Sequence, residues 1–232
     1  MTRPTNTFII PLWFPGIICG LSWDRSEESL AVGCNENKVQ IFRNCSLRDT
    51  NSETLTMVYQ SAVKALAWNP AQRGILATGS GQNDQRVVVW DLIGGKYKNC
   101  IDTKSQVTGL VWSPSCNELI TSHGHFDPNL RLWDLKKNEN TCKLTGHSNM
   151  IVSIAKSPLN DNVISLSADE SLRVWNIFTR NKASNNPKLS SSALSLDKIR
   201  WLRRIDNLRI SVRIFFGRII CYLLINDKVF DI

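Results

Sequence analysis

Three side chains capable of acid–base or nucleophilic chemistry, His147, Ser167 and Asp169, fall within residues 146–176. Such a set can serve a catalytic site, or it can form a buried hydrogen-bond relay that holds a sheet together. The sequence contains no G-x-S-x-G, P-loop or H-E-x-x-H motif that would support the catalytic reading. We therefore interpret the three side chains as structural and expect no enzyme activity.

A pair of histidines, His123 and His125, is separated by one glycine. Zinc sites usually combine four nitrogen or sulfur ligands, or three and a water molecule. No third histidine or nearby cysteine completes the set here. We expect neither a metal ion nor another cofactor.

Two independent landmarks recur along the chain at nearly constant spacing. The first closes a predicted strand, at intervals of 45, 44 and 44 residues, at Trp23, Trp68, Trp112 and Lys156. The second closes a later strand, at intervals of 48, 43 and 42 residues, at Phe42, Trp90, Trp133 and Trp175. A period of about 40–45 residues is typical of WD repeats, in which four short strands form one blade of a propeller.

Within each unit, apolar residues alternate with polar ones as in strands. Besides Val63–Trp68, the predicted inner strands are Ile75–Thr78, Arg86–Trp90, Val107–Trp112, Glu118–Ser122 and Leu130–Trp133, and the predicted outer strands are Met57–Gln60, Tyr97–Ile101 and Thr141–Leu144. The sequence therefore predicts an all-β, WD-repeat propeller with blades at about 17–59, 60–101, 104–144 and 146–178.

The fourth unit resembles a complete WD repeat, because His147, Ser167, Asp169 and Trp175 match its hydrogen-bonded tetrad. The resemblance implies a structural relay from indole N–H to hydroxyl, from hydroxyl to imidazole and from imidazole to carboxylate. The second and third units have Gln60-Ser61 and Lys104-Ser105 near the place of Gly146-His147. We expect their relays to be weaker or absent.

The net charge of +8 is concentrated at one end of the sequence. Residues 179–232 contribute +7, and residues 1–178 contribute only +1. A nearly neutral repeat region has no broad cationic face for phosphates, so we expect no nucleic-acid partner. Arginines at 209, 213 and 218 interrupt the apolar run 208–225, so we expect no membrane partner either. Seven scattered cysteines without a C-x-x-C pair favour a reducing compartment.

Several segments in order resemble the Fizzy/Fizzy-related family, the co-activators of the anaphase-promoting complex, a ubiquitin ligase. They are SAVKALAWNP (61–70), ILATGSG (75–81), CIDTKSQVTGLVWS (100–113), ELITSHGH (118–125) and ADESLRVWN (168–176). The resemblance covers about residues 17–178 and implies the last four blades of a seven-bladed propeller. It implies partners in the ligase core and in cell-cycle proteins that carry degron peptides, and a location in nucleus and cytoplasm.

The resemblance also implies which residues bind a degron of the KEN type. Asn35 and Asn37 match asparagines that hydrogen-bond the peptide, although both could instead shape a β-turn. Glu170 matches a carboxylate that receives a basic degron residue, although it could simply be solvated. Gln82 stands where the family has threonine, and Met150 stands where it has an arginine that pairs with the acidic degron residue. We therefore predict poor affinity for KEN peptides.

Both ends depart from the family. Residues 1–16 do not resemble the preceding blade, and the arm with the ligase-binding C-box is not found upstream. Residues 179–232 read as a basic linker (180–195) and a divergent, irregular or helical tail, which could equally be a mis-spliced end. We expect a fragment or partial gene product, unless residues 8–14 supply an outer strand that closes a four-bladed ring.

The implied function is substrate recognition for the anaphase-promoting complex, in an active form or in a truncated or inactive one. A chain that binds substrates without the ligase would act as a decoy. The alternatives are a generic WD-repeat interaction scaffold and a nucleic-acid or acidic-membrane binder that acts through its tail.

Overall fold

A computed structural model describes residues 16–43, 54–113, 118–157 and 162–177, and the backbone of 190–195, 208–215, 218–225 and 228–231. The expectations for residues 1–15, including a strand at 8–14, and for the linker at 178–189 lie outside the described residues. The described residues form two compact units, one up to Ile154 and one from Ala155. No helix long and apolar enough to cross a membrane occurs in the part of the chain that is described.

Four antiparallel sheets of four strands follow one another along the chain. The first contains β1 (Ile18–Trp23), β2 (Ser29–Cys34), β3 (Lys38–Arg43) and β4 (Thr54–Val58), and the second contains β5 (Val63–Trp68), β6 (Ile75–Ser80), β7 (Arg86–Asp91) and β8 (Lys96–Asp102). The third contains β9 (Val107–Trp112), β10 (Glu118–His123), β11 (Leu130–Asp134) and β12 (Glu139–Leu144), and the fourth contains β13 (Ile151–Lys156), β14 (Asn162–Ser167), β15 (Ser171–Asn176) and β16 (Ser190–Ser195). The prediction of an all-β fold with four WD-type blades is confirmed.

The residue after each first-strand tryptophan explains why the chain turns there. Asp24 accepts hydrogen bonds from the backbone N–H groups of Glu28 and Ser29 at 3.1 and 3.2 Å. Asn69 accepts two from Ala71 and Gln72, both at 2.9 Å. Short polar side chains that bind nearby backbone N–H groups stabilise turns, which is why Asp or Asn follows Trp at these points.

The first three sheets pack side by side through their first strands. The Trp68 indole donates to the Ser22 carbonyl of the preceding sheet, and the Trp112 indole donates to the Ala67 carbonyl, both at 2.9 Å. A Cβ atom built on Gly33 would lie 2.2 Å from the Val63 carbonyl oxygen. The first and second sheets therefore approach so closely that only glycine fits at this position.

The second sheet contains a hydrogen-bond relay that the sequence did not predict. Tyr59 occupies the place that His147 has in the fourth unit, four residues before the first strand. Its hydroxyl accepts from the Trp90 indole at 2.8 Å and lies 2.7 Å from the Thr78 hydroxyl. Because Thr78 donates to the Val88 carbonyl, Tyr59 must donate to Thr78. The relay is therefore not absent from this repeat, because a phenol replaces the imidazole, and its being weaker than the relay of the fourth repeat stays a prediction.

The third sheet closes its relay with a different histidine. The Trp133 indole donates to Thr121 at 2.9 Å, and the Thr121 hydroxyl lies 2.7 Å from His123 Nε2. The Thr121 hydroxyl accepts from the indole, and it either donates to Nε2 or accepts from it, according to which ring nitrogen carries the proton. His123 is fully buried on β10. The relay is also present in this repeat, because the imidazole comes from the second strand itself, and its being weaker stays a prediction.

In the fourth sheet the indole partner is Ser165. The Trp175 indole donates to the Ser165 hydroxyl at 2.7 Å, whereas the sequence assigned this position to Ser167. Ser165 corresponds to Thr78 and Thr121, one repeat apart each time, and it lies two positions before Ser167. Ser167 instead accepts from the Asp169 N–H at 3.2 Å within the following turn. The serine of the predicted tetrad is therefore corrected to Ser165.

The tail contains strands where a helix or irregular structure was expected. Residues 190–195, assigned to the linker, form β16, the outer strand of the fourth sheet. A separate three-stranded antiparallel sheet follows, with β17 (Leu208–Phe215), β18 (Arg218–Ile225) and β19 (Lys228–Asp231). Isoleucine and valine are abundant in 208–225, and their branched side chains favour strands over helices. The helical alternative for the tail was wrong.

Candidate peptide-binding edge

Two kinds of loop lie at the same edge of each sheet. Because neighbouring strands are antiparallel, the loops between second and third strands share an edge with the connections that lead to the next sheet. Backbone hydrogen bonds join them: Tyr59 N–H to the Asn37 carbonyl at 2.7 Å, and Thr103 N–H to the Gln85 carbonyl at 2.9 Å. We call this the upper edge. In the compact unit that ends at Ile154, it contains residues 35–37, 59–62, 81–85, 103–106, 124–129 and 145–150.

Asn35 and Asn37 lie in the upper-edge turn between β2 and β3. Asn35 is exposed, and its side-chain oxygen accepts from the Ile17 N–H at 2.7 Å. Its Nδ2 group donates to no residue that the structure describes. Asn37 has a left-handed backbone (φ 60°), a conformation that asparagine tolerates better than most residues. A turn role thus accounts for Asn37, while the Asn35 amide points a donor at solvent.

Gln82 and Met150 also lie at the upper edge of the compact unit that ends at Ile154. Gln82 is exposed in the β6–β7 loop, where the Gly81 N–H donates to the Ala62 carbonyl at 2.9 Å. Met150 is half-buried directly before β13, and its N–H donates to the Asn149 side chain at 2.7 Å. A thioether offers only a weak acceptor and no charge at this position.

Glu170 lies in the β14–β15 turn, in the compact unit that begins at Ala155. It is exposed and has a left-handed backbone (φ 62°), as Asn37 and Gln85 have directly before the third strands of their sheets. Its N–H donates to the Ser167 carbonyl at 3.2 Å. The Ser167 and Asp169 side chains also accept backbone hydrogen bonds in this turn, and the Glu170 side chain is exposed to solvent.

A charged cluster in the β10–β11 loop was missed in the sequence analysis. Arg131 is mostly buried and pairs with Asp127, while Lys143 contacts the same carboxylate at 2.8 Å. Asn129 accepts from Arg131 Nε at 3.1 Å. Burial would raise the pKa of Asp127, but hydrogen bonds from Lys143 and Arg131 hold it well below its usual range. Only the Asp127/Arg131 spacing hinted at this pair, and Lys143 comes from another strand.

The two histidines considered for metal binding do not come together. His123 is buried and contacts Thr121, and His125 is exposed in the following loop. Burial lowers the pKa of His123 to about 3, with the nearby Arg131 charge contributing in the same direction. Among the described residues, no group of three or more His, Cys, Asp or Glu side chains is placed to hold a metal ion.

The sequence model of the WD domain, G-beta repeat family matches this chain three times, at residues 53–91, 95–134 and 138–176. With the four-stranded sheets and their tryptophan relays, these matches define the class of protein: the chain belongs to the WD-repeat family.

Within that family the chain is similar to activators of the anaphase-promoting complex. It is 39% identical to "APC/C activator protein CDH1" of Saccharomyces cerevisiae over 73% of this chain and 30% of that protein. It is 40% identical to "Cell division cycle 20.1, cofactor of APC complex" of Arabidopsis thaliana over 77% of this chain and 40% of that protein. The predicted resemblance to the Fizzy/Fizzy-related proteins is confirmed.

Solved structures agree with this placement. A chain in "Crystal Structure of Mitotic Checkpoint Complex" is 33% identical with a TM-score of 0.64, over 70% of this chain and 51% of that chain. "Crystal structure of RRP9 WD40 repeats" has the same TM-score of 0.64 at 15% identity, over 78% of this chain and 52% of that one, which shows the fold alone. The chain spans about 30–40% of the length of the first two curated relatives.

Proposed function

We propose that this chain is a peptide-recognition part of a co-activator of the anaphase-promoting complex. Its upper edge binds degron peptides of cell-cycle proteins, in the nucleus and the cytoplasm, and performs no catalysis itself. The observation that carries the proposal is the similarity to APC/C activators at 39–40% identity over more than 70% of the chain. The exposed Asn35 amide offers polar contacts to such a peptide.

Met150 limits how tightly this edge can hold a KEN-type peptide. An arginine there would form a charge-assisted hydrogen bond with the acidic peptide residue, worth roughly 1.5–3 kcal/mol. Methionine provides no such partner, so the acidic group of the peptide remains hydrated by water. The expected affinity is therefore at least about tenfold weaker than with arginine.

The test is fluorescence polarisation of a labelled KEN peptide with the full chain and two variants. Met150→Arg should tighten binding at least about tenfold, whereas Met150→Leu, which keeps the size and adds no charge, should leave binding unchanged. A peptide in which the acidic residue is replaced by glutamine should lose the gain. Micromolar or tighter binding by the unaltered chain would contradict the role given to Met150.

Met150 and Gln82 also favour a second candidate, a WD-repeat scaffold for another complex. Both residues stand where the resemblance implies a different side chain in the degron site. Pull-down with the purified core of the anaphase-promoting complex separates the two functions. Retention of the core supports the first proposal. Retention of degron-bearing proteins without the core would identify a decoy, and retention of neither would favour the scaffold.

A further inference from the structure

A cavity of about 280 Å³ lies between the first and second sheets, at the edge opposite to the upper edge. It is bounded by the β1–β2 turn and the β5–β6 turn, and Trp68, Pro70 and Ala71 make part of its wall apolar. Both turns lie within the described residues and within the compact unit that ends at Ile154. The proposed degron site lies at the other edge, so this cavity is a separate candidate site.

Two arginine bridges join the walls of this cavity. Arg25 Nη1, on the β1–β2 turn, donates to the Pro70 carbonyl of the β5–β6 turn at 3.0 Å. In the other direction, Arg73 of the β5–β6 turn pairs with Glu28 of the β1–β2 turn. Each turn is also held internally by a side chain that accepts two backbone N–H groups. The cavity is therefore formed before a ligand binds, which lowers the entropic cost of binding.

The side chains of the cavity that retain hydrogen-bonding capacity are mainly donors. Asn69 is 6% exposed, and its oxygen accepts from two backbone N–H groups, whereas its Nδ2 group donates to no residue that the structure describes. Arg25 Nε and Nη2 likewise have no acceptor among the described residues. The acidic residue of the lining, Asp24, already accepts from two backbone N–H groups and from the Ser26 hydroxyl. A ligand must therefore bring acceptors, and a negative charge suits the arginines.

We propose that this cavity binds an acidic side chain of a protein partner, either a carboxylate or a phosphorylated serine. The Arg25 and Arg73 guanidinium groups donate to the acidic group, and Asn69 Nδ2 donates a further hydrogen bond to it. The volume of about 280 Å³ is close to the lower end of the roughly 300–1,000 Å³ typical of ligand pockets. It leaves room for the stem of the acidic side chain beside Trp68. Carboxylate and phosphate groups both suit the planar fork of arginine, so the test separates them.

The test is an NMR titration of the isotope-labelled full chain with capped peptides of the sequence Ala-Gly-X-Gly-Ala. With glutamate or phosphoserine at X, the Trp68 indole N–H and Arg25 Nε–H signals should shift together, and with glutamine or serine at X they should not. The acidic peptide that binds more tightly identifies the preferred group. Inorganic phosphate that binds as tightly as the phosphoserine peptide would overturn the assignment to a protein side chain. No shift with either acidic peptide up to about 10 mM, a concentration that detects even millimolar affinity, would overturn the site.

Arg25→Gln should weaken binding of the tighter acidic peptide about 5- to 10-fold, the loss of one charge-assisted hydrogen bond at an exposed site. Lys137→Gln is the matched control, because it removes the same charge from an exposed residue in the β11–β12 turn at the same edge, and it should leave the affinity unchanged. Arg73→Gln should cause a loss similar to that of Arg25→Gln, and it keeps the proposal testable if Arg25→Gln fails to fold. Equal affinities of the control and the arginine variants would overturn the proposal.

Discussion

Removal of the Tyr59 hydroxyl group should destabilise the protein measurably. Tyr59 is 8% exposed, and its oxygen is the sole acceptor in the described part of the chain for the Trp90 indole, at 2.8 Å. Tyr59→Phe keeps the ring in the core. It leaves the indole N–H without its acceptor and the Thr78 hydroxyl without its donor. An unsatisfied buried polar group costs about 1–3 kcal/mol, and because Trp90 is half-buried we expect about 1–2 kcal/mol.

Thermal and urea unfolding followed by circular dichroism measure this change. For a domain of this size the loss corresponds to a Tm lower by about 2–8 °C. Tyr97→Phe is the matched control, since Tyr97 is 63% exposed and meets Trp90 only ring edge to face. It should change the free energy of unfolding by less than about 0.5 kcal/mol. In the double variant Tyr59→Phe/Trp90→Phe, the loss in free energy of unfolding should be smaller than the sum of the losses in the two single variants.

Equal unfolding free energies for Tyr59→Phe and Tyr97→Phe would refute this reasoning. That result would mean that water replaces the Tyr59 hydroxyl at the indole without cost. The relay would then be a consequence of the packing around Trp90, and it would contribute nothing to the stability of the second sheet.

Three further predictions concern stability. Burial lowers the pKa of His123 to about 3. The stability that this group contributes above its unfolded pKa of about 6.5 should therefore be lost as the pH falls toward 3. His123→Gln should flatten this pH dependence of the free energy of unfolding, and His125→Gln should not. Gly33→Ala should lower the free energy of unfolding by about 1–3 kcal/mol, because its Cβ would meet the Val63 carbonyl; an unchanged urea midpoint would contradict the close packing of the first two sheets. Asp127→Ala should lower the free energy of unfolding by about 2–3 kcal/mol, because it leaves the mostly buried Arg131 without its partner. Asp102→Ala removes an exposed ion pair with Lys104 and should cost at most about 1 kcal/mol. Similar losses for the two variants would show that burial does not strengthen the Arg131 pair.

The repeat period predicted the sheets well, because alternation and the Trp-Asp or Trp-Asn turns are local signals. The strands Val63–Trp68 and Val107–Trp112 begin and end where the pattern places them. The outer strand near Met57 was placed a few residues late, since it is β4 at Thr54–Val58. Outer strands alternate weakly because they have little apolar surface to bury, so their bounds depend on pairing with the third strand.

The polar relays were harder to predict, because they depend on which side chains meet across strands. Tyr59 fills the position of an imidazole, and nothing in its local sequence shows that its hydroxyl reaches Thr78 and Trp90. Ser165 and Ser167 lie on the same strand and share a residue type, so the sequence alone could not select between them. The tail was mispredicted because three- and four-residue spacing of apolar residues also occurs in strands rich in branched side chains.

The central claim, that the upper edge reads degron peptides, is tested most directly by Asn35→Ala in the Met150→Arg background. Gln72→Ala, an exposed change in the β5–β6 loop at the opposite edge, is the control in the same background. We predict that fluorescence polarisation with a KEN peptide shows at least about fivefold weaker binding for Asn35→Ala, the loss of roughly one hydrogen bond, and no change for Gln72→Ala. Equal affinity of the two variants, or no binding by the Met150→Arg chain itself, would contradict the assignment of this edge as the peptide site.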